Sequence, residues 1–368
     1  MNATKKTGGS KCSAKKQKSE CEATEECVWG KTGKCSMKRK QGSKKASAAN
    51  AVSLHKFFPV KASSKSQGSP SQGSPSQGSP RSQVEEEEEE LVQKTKEDFQ
   101  PGATLKNVRA NGDVDLKGRN MKGIKIVGGN MVSVDLRGAD LSGATLENIM
   151  FNNAKLDGAN LTGATIRGCM FEDASVKEAH FSGARITESD MNKLSSADKA
   201  EFNDSVLTNV WFSGSKFREA NFANAKFEGA ETKLNGVSFE KANLTGASFG
   251  EGVVLTIPPS MMRGHHGLGY DYINFKGANL QKVKFSPNGT IAILAYNNFE
   301  GANLTGVKLE EADLRYCKFK GAIMTDTNLS MADLRDSELS VATLKDAYIN
   351  GATFNTLEMV RGVLRFED

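Results

Sequence analysis

A large apolar residue recurs every five positions over most of the chain, and this period constrains the fold more than any other feature. The longest early run of these central residues extends from Leu136 to Met191, and the longest late run from Phe299 to Phe354. Two positions before most of them stands a small residue, usually Ala. A period of five fits neither an α-helix, where successive centres would rotate by about 140°, nor a flat strand, where they would alternate between faces.

The period is satisfied if the chain bends by a quarter turn at every fifth residue, so that all central residues point to one axis. Four such units close one coil of 20 residues. Gly often follows a central residue by two positions, as at Gly143 and Gly163, where a corner needs a tight turn. Identical centres should then stack 20 residues apart, as three pairs would: Phe151 with Phe171, Phe202 with Phe222, and Phe299 with Phe319.

Units such as Ala139-Asp140-Leu141-Ser142-Gly143 and Ala159-Asn160-Leu161-Thr162-Gly163 resemble the pentapeptide-repeat family, whose motif is A-(D/N)-L-x-x. The resemblance implies an all-β fold, a right-handed quadrilateral β-helix, here expected in residues 101–355. It also implies a protein that binds or shapes partners without catalysing a reaction. Because an open solenoid end exposes core and backbone edges, we expect residues 356–368 to form a short C-terminal capping helix. A homodimer through this cap is an open expectation.

The five-residue period breaks at four places, and the longest break separates Phe249 from Phe275. Pro and Gly within it stop the coil, and Met, Arg and Tyr are common at protein interfaces. We therefore predict a partner-binding loop that uses Met261, Met262, Arg263 and Tyr270, with a bulged coil as the alternative. We predict no metal site, because the two histidines of this loop have no Cys or carboxylate cluster beside them.

The first hundred residues differ from the rest in charge. Residues 1–100 hold 19 Lys and Arg against 12 Asp and Glu, whereas residues 101–368 hold 30 against 32. A basic arm on a near-neutral body predicts nucleic acid or another polyanion as a partner of the arm. We expect a basic Cys-rich module in residues 1–46. Residues 47–100 should form a disordered linker with a short apolar motif and a glutamate run, which opens a solvated helix over Glu85–Asp98.

Four cysteines crowd into the basic module: Cys12, Cys21, Cys27 and Cys35. They predict two disulfides or one zinc ion, and the absence of a C-x2-C pair favours disulfides. The Cys27-Val28-Trp29…Cys35 ending is similar to short Cys-rich segments in proteins of large DNA viruses. Two further cysteines, Cys169 and Cys317, occupy the small inward position of the repeat, so we expect them to pack in the core.

The apolar motif of the linker lies within Ala51–Lys61. Leu54, Phe57 and Phe58 resemble the sliding-clamp interacting box, Q-x-x-(L/I/M)-x-x-F-F, although Ala51 stands where that box has Gln. The resemblance implies that one turn of helix plugs a clamp pocket. The alternative is a short apolar anchor that docks elsewhere.

No nucleophile–base pair or phosphate-binding loop stands out, and no cofactor is predicted. We predict a non-enzymatic scaffold, a rigid rod that docks to a macromolecular assembly while the basic arm tethers it to nucleic acid or another polyanion. The alternatives are a minor capsid or packaged protein of a large DNA virus and a DNA mimic that modulates type II topoisomerase. No apolar run reaches membrane-spanning length and no secretory signal is evident, so we expect a cytoplasmic or nuclear protein, or one carried in a virion.

Overall fold

The computed structural model describes residues 27–29, 35–37, 90–112, 114–253, 255, 272–286 and 291–355. The chain divides into two units, residues 1–56 and 57–368. In the first unit, strands β1 (Cys27–Trp29) and β2 (Cys35–Met37) pair antiparallel, with Cys27 opposite Met37 and Trp29 opposite Cys35. The predicted cap in residues 356–368 lies outside the described residues.

The second unit is built on a parallel sheet of nine strands in which each strand pairs with the next one along the chain. Its strands are β3 (Val92–Gln93), β4 (Thr104–Arg109), β5 (Lys125–Asn130), β6 (Thr145–Met150), β7 (Thr165–Arg167), β8 (Arg185–Thr187), β9 (Val206–Thr208), β10 (Lys226–Glu228) and β11 (Ser248–Phe249). Consecutive parallel strands of this kind form only if the chain makes one complete coil between them. The predicted all-β solenoid is therefore confirmed.

Each coil has four sides, which we call faces A, B, C and D in chain order. An outward residue immediately before each central residue forms a parallel bridge to the next coil, and these bridging residues define the face. In one coil they are Thr165 on face A, Met170 on face B, Ser175 on face C and His180 on face D. The bridges continue beyond β11 on all four faces, as far as Tyr348 on face A, Thr353 on face B, Glu338 on face C and Thr343 on face D.

The central residues and the small residues before them form one continuous core. The three predicted phenylalanine pairs are stacked, with ring centroids 5.1 Å apart for Phe151 and Phe171, 4.8 Å for Phe202 and Phe222, and 5.1 Å for Phe299 and Phe319. Cys169 and Cys317 are both buried in the inward position, as predicted. Burial raises the pKa of the Cys169 thiol to about 12, so this sulfur stays protonated.

The coil corners hold the backbone in the left-handed region. Gly143 and Gly163 have φ of 64° and 66°, as expected for tight turns. Asn153 and Lys193 occupy equivalent corners at φ 59° and 49°. The corner geometry is thus imposed by the coil, and glycine relieves its strain without being required for it.

The β-helix extends upstream of residue 101. Strand β3 pairs with β4, and the Lys94 N–H donates to the Arg109 carbonyl at 2.9 Å. The sequence predicted a solvated helix over Glu85–Asp98. The described part of this segment instead consists of β3 and a single 3-10 turn, Lys96–Asp98. The reason is that the first coil presents unpaired backbone groups, which β3 satisfies, and an open core, which fully buried Phe99 covers. No helix in the described part of the chain is long and apolar enough to cross a membrane.

Candidate functional site

Among the described residues, the number of residues between neighbouring bridges varies at only two of the four coil edges. Every step from face C to face D and from face D to face A among the described residues is five residues long, as from Ser196 to Glu201 and from Glu201 to Val206. These two edges form a spine with constant spacing. Additional residues therefore enter the coil elsewhere.

Five steps between described bridging residues depart from regular spacing, and each of them lies beside face B. Two steps are six residues long, from Arg109 to Asp115 and from Asp190 to Ser196. One step is seven residues long, from Lys226 to Lys233, and one is nine, from Lys284 to Ile293. The fifth departure runs from Ser248 to Asn274, where the chain takes 26 residues instead of the 10 of two regular steps. The last four correspond to the four breaks predicted from the sequence. In repeat proteins, insertions that gather on one side often mark the binding side.

The N-terminal part of face B carries a column of large side chains. Met150, Met170, Asp190, Trp211 and Lys233 follow one another in parallel bridges. All are partly buried except exposed Lys233, whose Nζ lies 5.2 Å from the centre of the Trp211 ring, over its face. Burial raises the pKa of Asp190. This Met–Asp–Trp column combines apolar area with a partly desolvated carboxylate.

The corner between faces B and C carries a second surface in its C-terminal part, the tyrosine column. The Tyr272 and Tyr296 rings stack with centroids 5.5 Å apart, and Tyr296 and Tyr316 stack at 4.6 Å. Tyr272 and Tyr316 are 37% and 45% exposed, and the neighbouring Ile291 and Ile293 are 56% and 55% exposed. Contiguous exposed aromatic and aliphatic groups of this kind are typical of interaction sites.

A charged network borders the tyrosine column and fixes its outer edge. The Arg315 guanidinium donates to both carboxylate oxygens of Asp313 at 2.8 and 2.7 Å, and Arg335 does the same to Asp333 at 2.9 and 2.6 Å. The Arg335 hydrogen bond lowers the pKa of Asp333. These two-point contacts hold their side chains in one geometry, which suits a preorganised binding surface.

Asn297 anchors both ends of the long insertion at this surface. Its buried side chain donates from Nδ2 to the Leu255 carbonyl at 3.0 Å and accepts the Ile273 N–H at 2.9 Å. The insertion predicted from the sequence therefore leaves and rejoins the coil beside face B. Its predicted contact residues lie outside the described residues: Met261, Met262, Arg263 and Tyr270.

The other predicted site residues also lie in parts of the chain whose side chains the structure does not describe. Leu54, Phe57 and Phe58 fall outside the described residues, as do Cys12 and Cys21. Cys27 and Cys35 are placed only as backbone positions of β1 and β2. Among the described residues, no group of three or more His, Cys, Asp or Glu side chains could hold a metal ion.

Face C has a different electrostatic pattern. The residues that follow its central positions alternate in charge over nine successive coils: Arg137, Asp157, Lys177, Asp198, Arg218, Glu240, Lys276, Glu300 and Lys320. Lys276 and Glu300 form an ion pair at 3.0 Å. Because each charge inside this row has opposite charges above and below it, these nine positions form no extended region of one sign.

The family model described as pentapeptide repeats matches eight copies in this chain, in residues 130–168, 200–231 and 292–330. Solved structures with related repeats include HetL, a pentapeptide repeat protein involved in heterocyst differentiation regulation in the cyanobacterium Nostoc, at 18% identity over 68% of this chain and 89% of that one, with a TM-score of 0.25. Another is a trypsin-treated form of QnrB1, a plasmid-mediated fluoroquinolone resistance protein, at 19% identity over 64% and 91%, with a TM-score of 0.27.

A pentapeptide repeat protein from the Arabidopsis thaliana thylakoid lumen is 29% identical over 25% of this chain and 66% of its own length, with a TM-score of 0.22. No curated protein matches the chain. The assignment therefore depends on the matched repeats and on the coils that contain them. By these, the repeats in residues 130–168, 200–231 and 292–330 are similar to those of the pentapeptide-repeat family.

Proposed function

We propose that the protein is a non-enzymatic scaffold whose β-helix binds a protein partner through face B. The observation that carries the proposal is the placement of all five spacing departures beside this face, while the opposite spine keeps constant spacing. A continuous core passes through every departure, so the solenoid can present varied groups without losing its frame.

The side chains of face B support a protein rather than a nucleic acid as the partner of the β-helix. Tyr, Trp and Met are enriched in protein interfaces, and they occupy the Met–Asp–Trp column on face B and the tyrosine column at the corner beside it. A nucleic-acid surface would need clustered Lys and Arg, whereas Arg315 and Arg335 are each paired with aspartate. Two predictions concern residues 1–100 instead of the β-helix. One is that the basic arm tethers the protein to nucleic acid, and the other is that the apolar motif of the linker binds a sliding clamp.

Two alternative functions were predicted from the sequence, a packaged viral protein and a DNA mimic. Neither is supported by a contact among the described residues. Mimicry of DNA would require a continuous row of negative charge, and the alternation along face C opposes it. Topoisomerase supercoiling assays with the full chain test mimicry, and mass spectrometry of purified particles tests a packaged role.

Site-specific photo-crosslinking tests the docking face. A benzoylphenylalanine replaces Ile293 on face B or, as the matched control, Ile323, which is 42% exposed on face D. In extracts of the source cells, position 293 should give a discrete adduct that is lost when Tyr316→Ala is added, and position 323 should give none. Equal adducts from both positions, or none from position 293, would refute docking through face B.

A further inference from the structure

Among the described residues, Asp190 of the Met–Asp–Trp column forms no ion pair of its own. Its Oδ1 accepts the Asn192 N–H at 2.8 Å, and the carboxylate lies between Met170 and Trp211 along the column. Lys193, the nearest cation in sequence, is bound to Glu172 at 3.1 Å instead. Within the described parts of the chain, no ion pair to Asp190 forms.

This arrangement places a partly desolvated negative charge where a cation would be favoured. Burial raises the pKa of Asp190, and the like charge of Glu172 adds to this; the Asn192 N–H and the charge of Lys193 oppose the rise without cancelling it. Beside it, the side-chain Oδ1 of Asn192 is buried without a hydrogen-bond donor among the described residues. An arriving group that carries both positive charge and several N–H donors would satisfy both oxygens.

Trp211 supplies the second element of the site. The position of the Lys233 ammonium over its ring shows that this ring accepts a cation on its face. Met150 and Met170 continue the column below Asp190 and offer polarizable apolar contact to the stem of a long side chain. A guanidinium suits these elements better than an ammonium, because it is planar, stacks on aromatic rings and donates through several N–H groups.

We propose that the Met–Asp–Trp column binds an arginine side chain of a protein partner, with the guanidinium paired to Asp190 and stacked on Trp211. The inference rests on the proposed function, that face B is the docking face, and it names the chemistry of the partner there. The partner is a separate protein rather than the chain's own basic arm. The reason is that Glu85–Glu90 lie between that arm and face B in sequence and offer the arm a denser negative charge.

Trp211 fluorescence tests the proposal in the full chain. The protein has two tryptophans, so Trp29→Phe leaves Trp211 as the single reporter. Hexa-arginine should change its emission saturably, hexa-lysine should bind more weakly, and hexa-glutamate should have no effect. Asp190→Asn should weaken hexa-arginine binding by about tenfold. The matched control is Asp140→Asn, which should stay within about twofold, since Asp140 is the bridging residue of face D and also accepts an N–H two residues on, at 3.0 Å.

Three results would overturn the proposal: no saturable response to hexa-arginine, equal affinity for the two basic peptides, or unchanged affinity in Asp190→Asn. Replacement of Lys38, Arg39 and Lys40 by Gln should leave the emission of the peptide-free protein unchanged. A shift would identify the chain's own arm as the occupant and overturn the assignment to a partner. If position 293 gives no adduct but hexa-arginine still binds, the proposed function is refuted and this site stands. If position 293 gives the adduct but hexa-arginine does not bind, only this site is refuted.

Discussion

The rings of Phe181 and Phe202 stack face to face with centroids 4.6 Å apart, although 21 residues separate them instead of 20. The extra residue lies between Asp190 and Ser196, on the face B side of the coil. Phe202 also stacks on Phe222 at 4.8 Å. The core column is therefore continuous across a break in the sequence period.

We expect Phe202→Ala to lower the free energy of unfolding by about 3–5 kcal/mol, because it removes a fully buried ring from the middle of a three-ring stack. Urea unfolding followed by far-UV circular dichroism measures the change. Val341→Ala is the control, since Val341 is 76% exposed and its truncation should cost under about 0.5 kcal/mol. Similar losses in the two variants would contradict the continuous stack.

Gly129→Ala should destabilise the β-helix by about 1–3 kcal/mol. A Cβ at this position would lie 2.9 Å from the Val108 carbonyl oxygen and 3.1 Å from the Val108 Cβ, in the adjacent strand. At the corner position Gly143, where a Cβ would meet no atom within 4 Å, Gly143→Asn should be nearly neutral, because Asn tolerates the left-handed region. Differential scanning calorimetry of both variants compares the two effects, and a larger loss at Gly143 would contradict them.

Cys169 and Cys317 should resist alkylation in the folded protein at pH 8. Both thiols are buried and their pKa values are raised by desolvation, so neither exposed surface nor thiolate is available. Iodoacetamide labelling read out by peptide mass spectrometry should find them unmodified in buffer and fully modified in urea. Rapid labelling in buffer would show that the coils open locally around the two sulfurs.

Two aspartates of face B should affect stability with opposite signs at pH 7. Arg335 lowers the folded-state pKa of Asp333, so this group stabilises the fold above its ordinary pKa of 3.8 and the stabilisation disappears as the pH falls through the lowered value. Burial raises the pKa of Asp190, so its ionisation opposes folding at pH 7 and ceases to do so once acid protonates it.

Asp333→Asn should therefore lower the Tm at pH 7, and Asp190→Asn should raise it. The Asp190 difference should shrink first on acidification, since the pKa of that carboxyl is raised above 3.8, and the Asp333 difference should shrink only below pH 3.8, as the pH falls through its lowered pKa. Thermal unfolding at several pH values checks the signs. A lower Tm for Asp190→Asn at pH 7 would mean that the carboxylate has a stabilising partner.

Glu240→Lys should destabilise the protein slightly, by about 0.2–1 kcal/mol, because it places three positive charges in succession on face C, between Arg218 and Lys276. The effect should diminish in 1 M salt, where exposed charges are screened. Thermal unfolding at low and high salt measures it, with Glu240→Gln as the neutral control. A loss that is independent of salt would point to packing rather than charge.

The fold could be predicted from the sequence because its signal is local and repeated. One apolar residue every five positions sets the coil, and identical residues 20 apart, such as Phe299 and Phe319, set its circumference. Strand β3 escaped prediction because Val92–Gln93 carries no repeat unit. Its position depends on the unpaired edge of β4, which only the assembled coil reveals.

The candidate site was harder to predict because its members share no sequence period. Tyr272 and Tyr296 are 24 residues apart, whereas Tyr296 and Tyr316 are 20 apart, so they align only once the inserted residues are assigned to one edge. Asn297 gave no signal either, since its role is to hold the two ends of an insertion. The long insertion itself could be recognised, because Pro and Gly interrupt the period there.

The constant five-residue spacing along faces C, D and A also has a consequence for how such a chain can change. A loop gained or lost beside face B alters what the protein presents, yet leaves the axial height of every residue on face D unchanged. Asn120 and Asn303, both bridging residues of face D, therefore keep their axial positions while the chain on the face B side of each coil changes in length. Loops of new length could be grafted at the Leu255–Tyr272 junction, and the number of coils between any two such marks would remain the same.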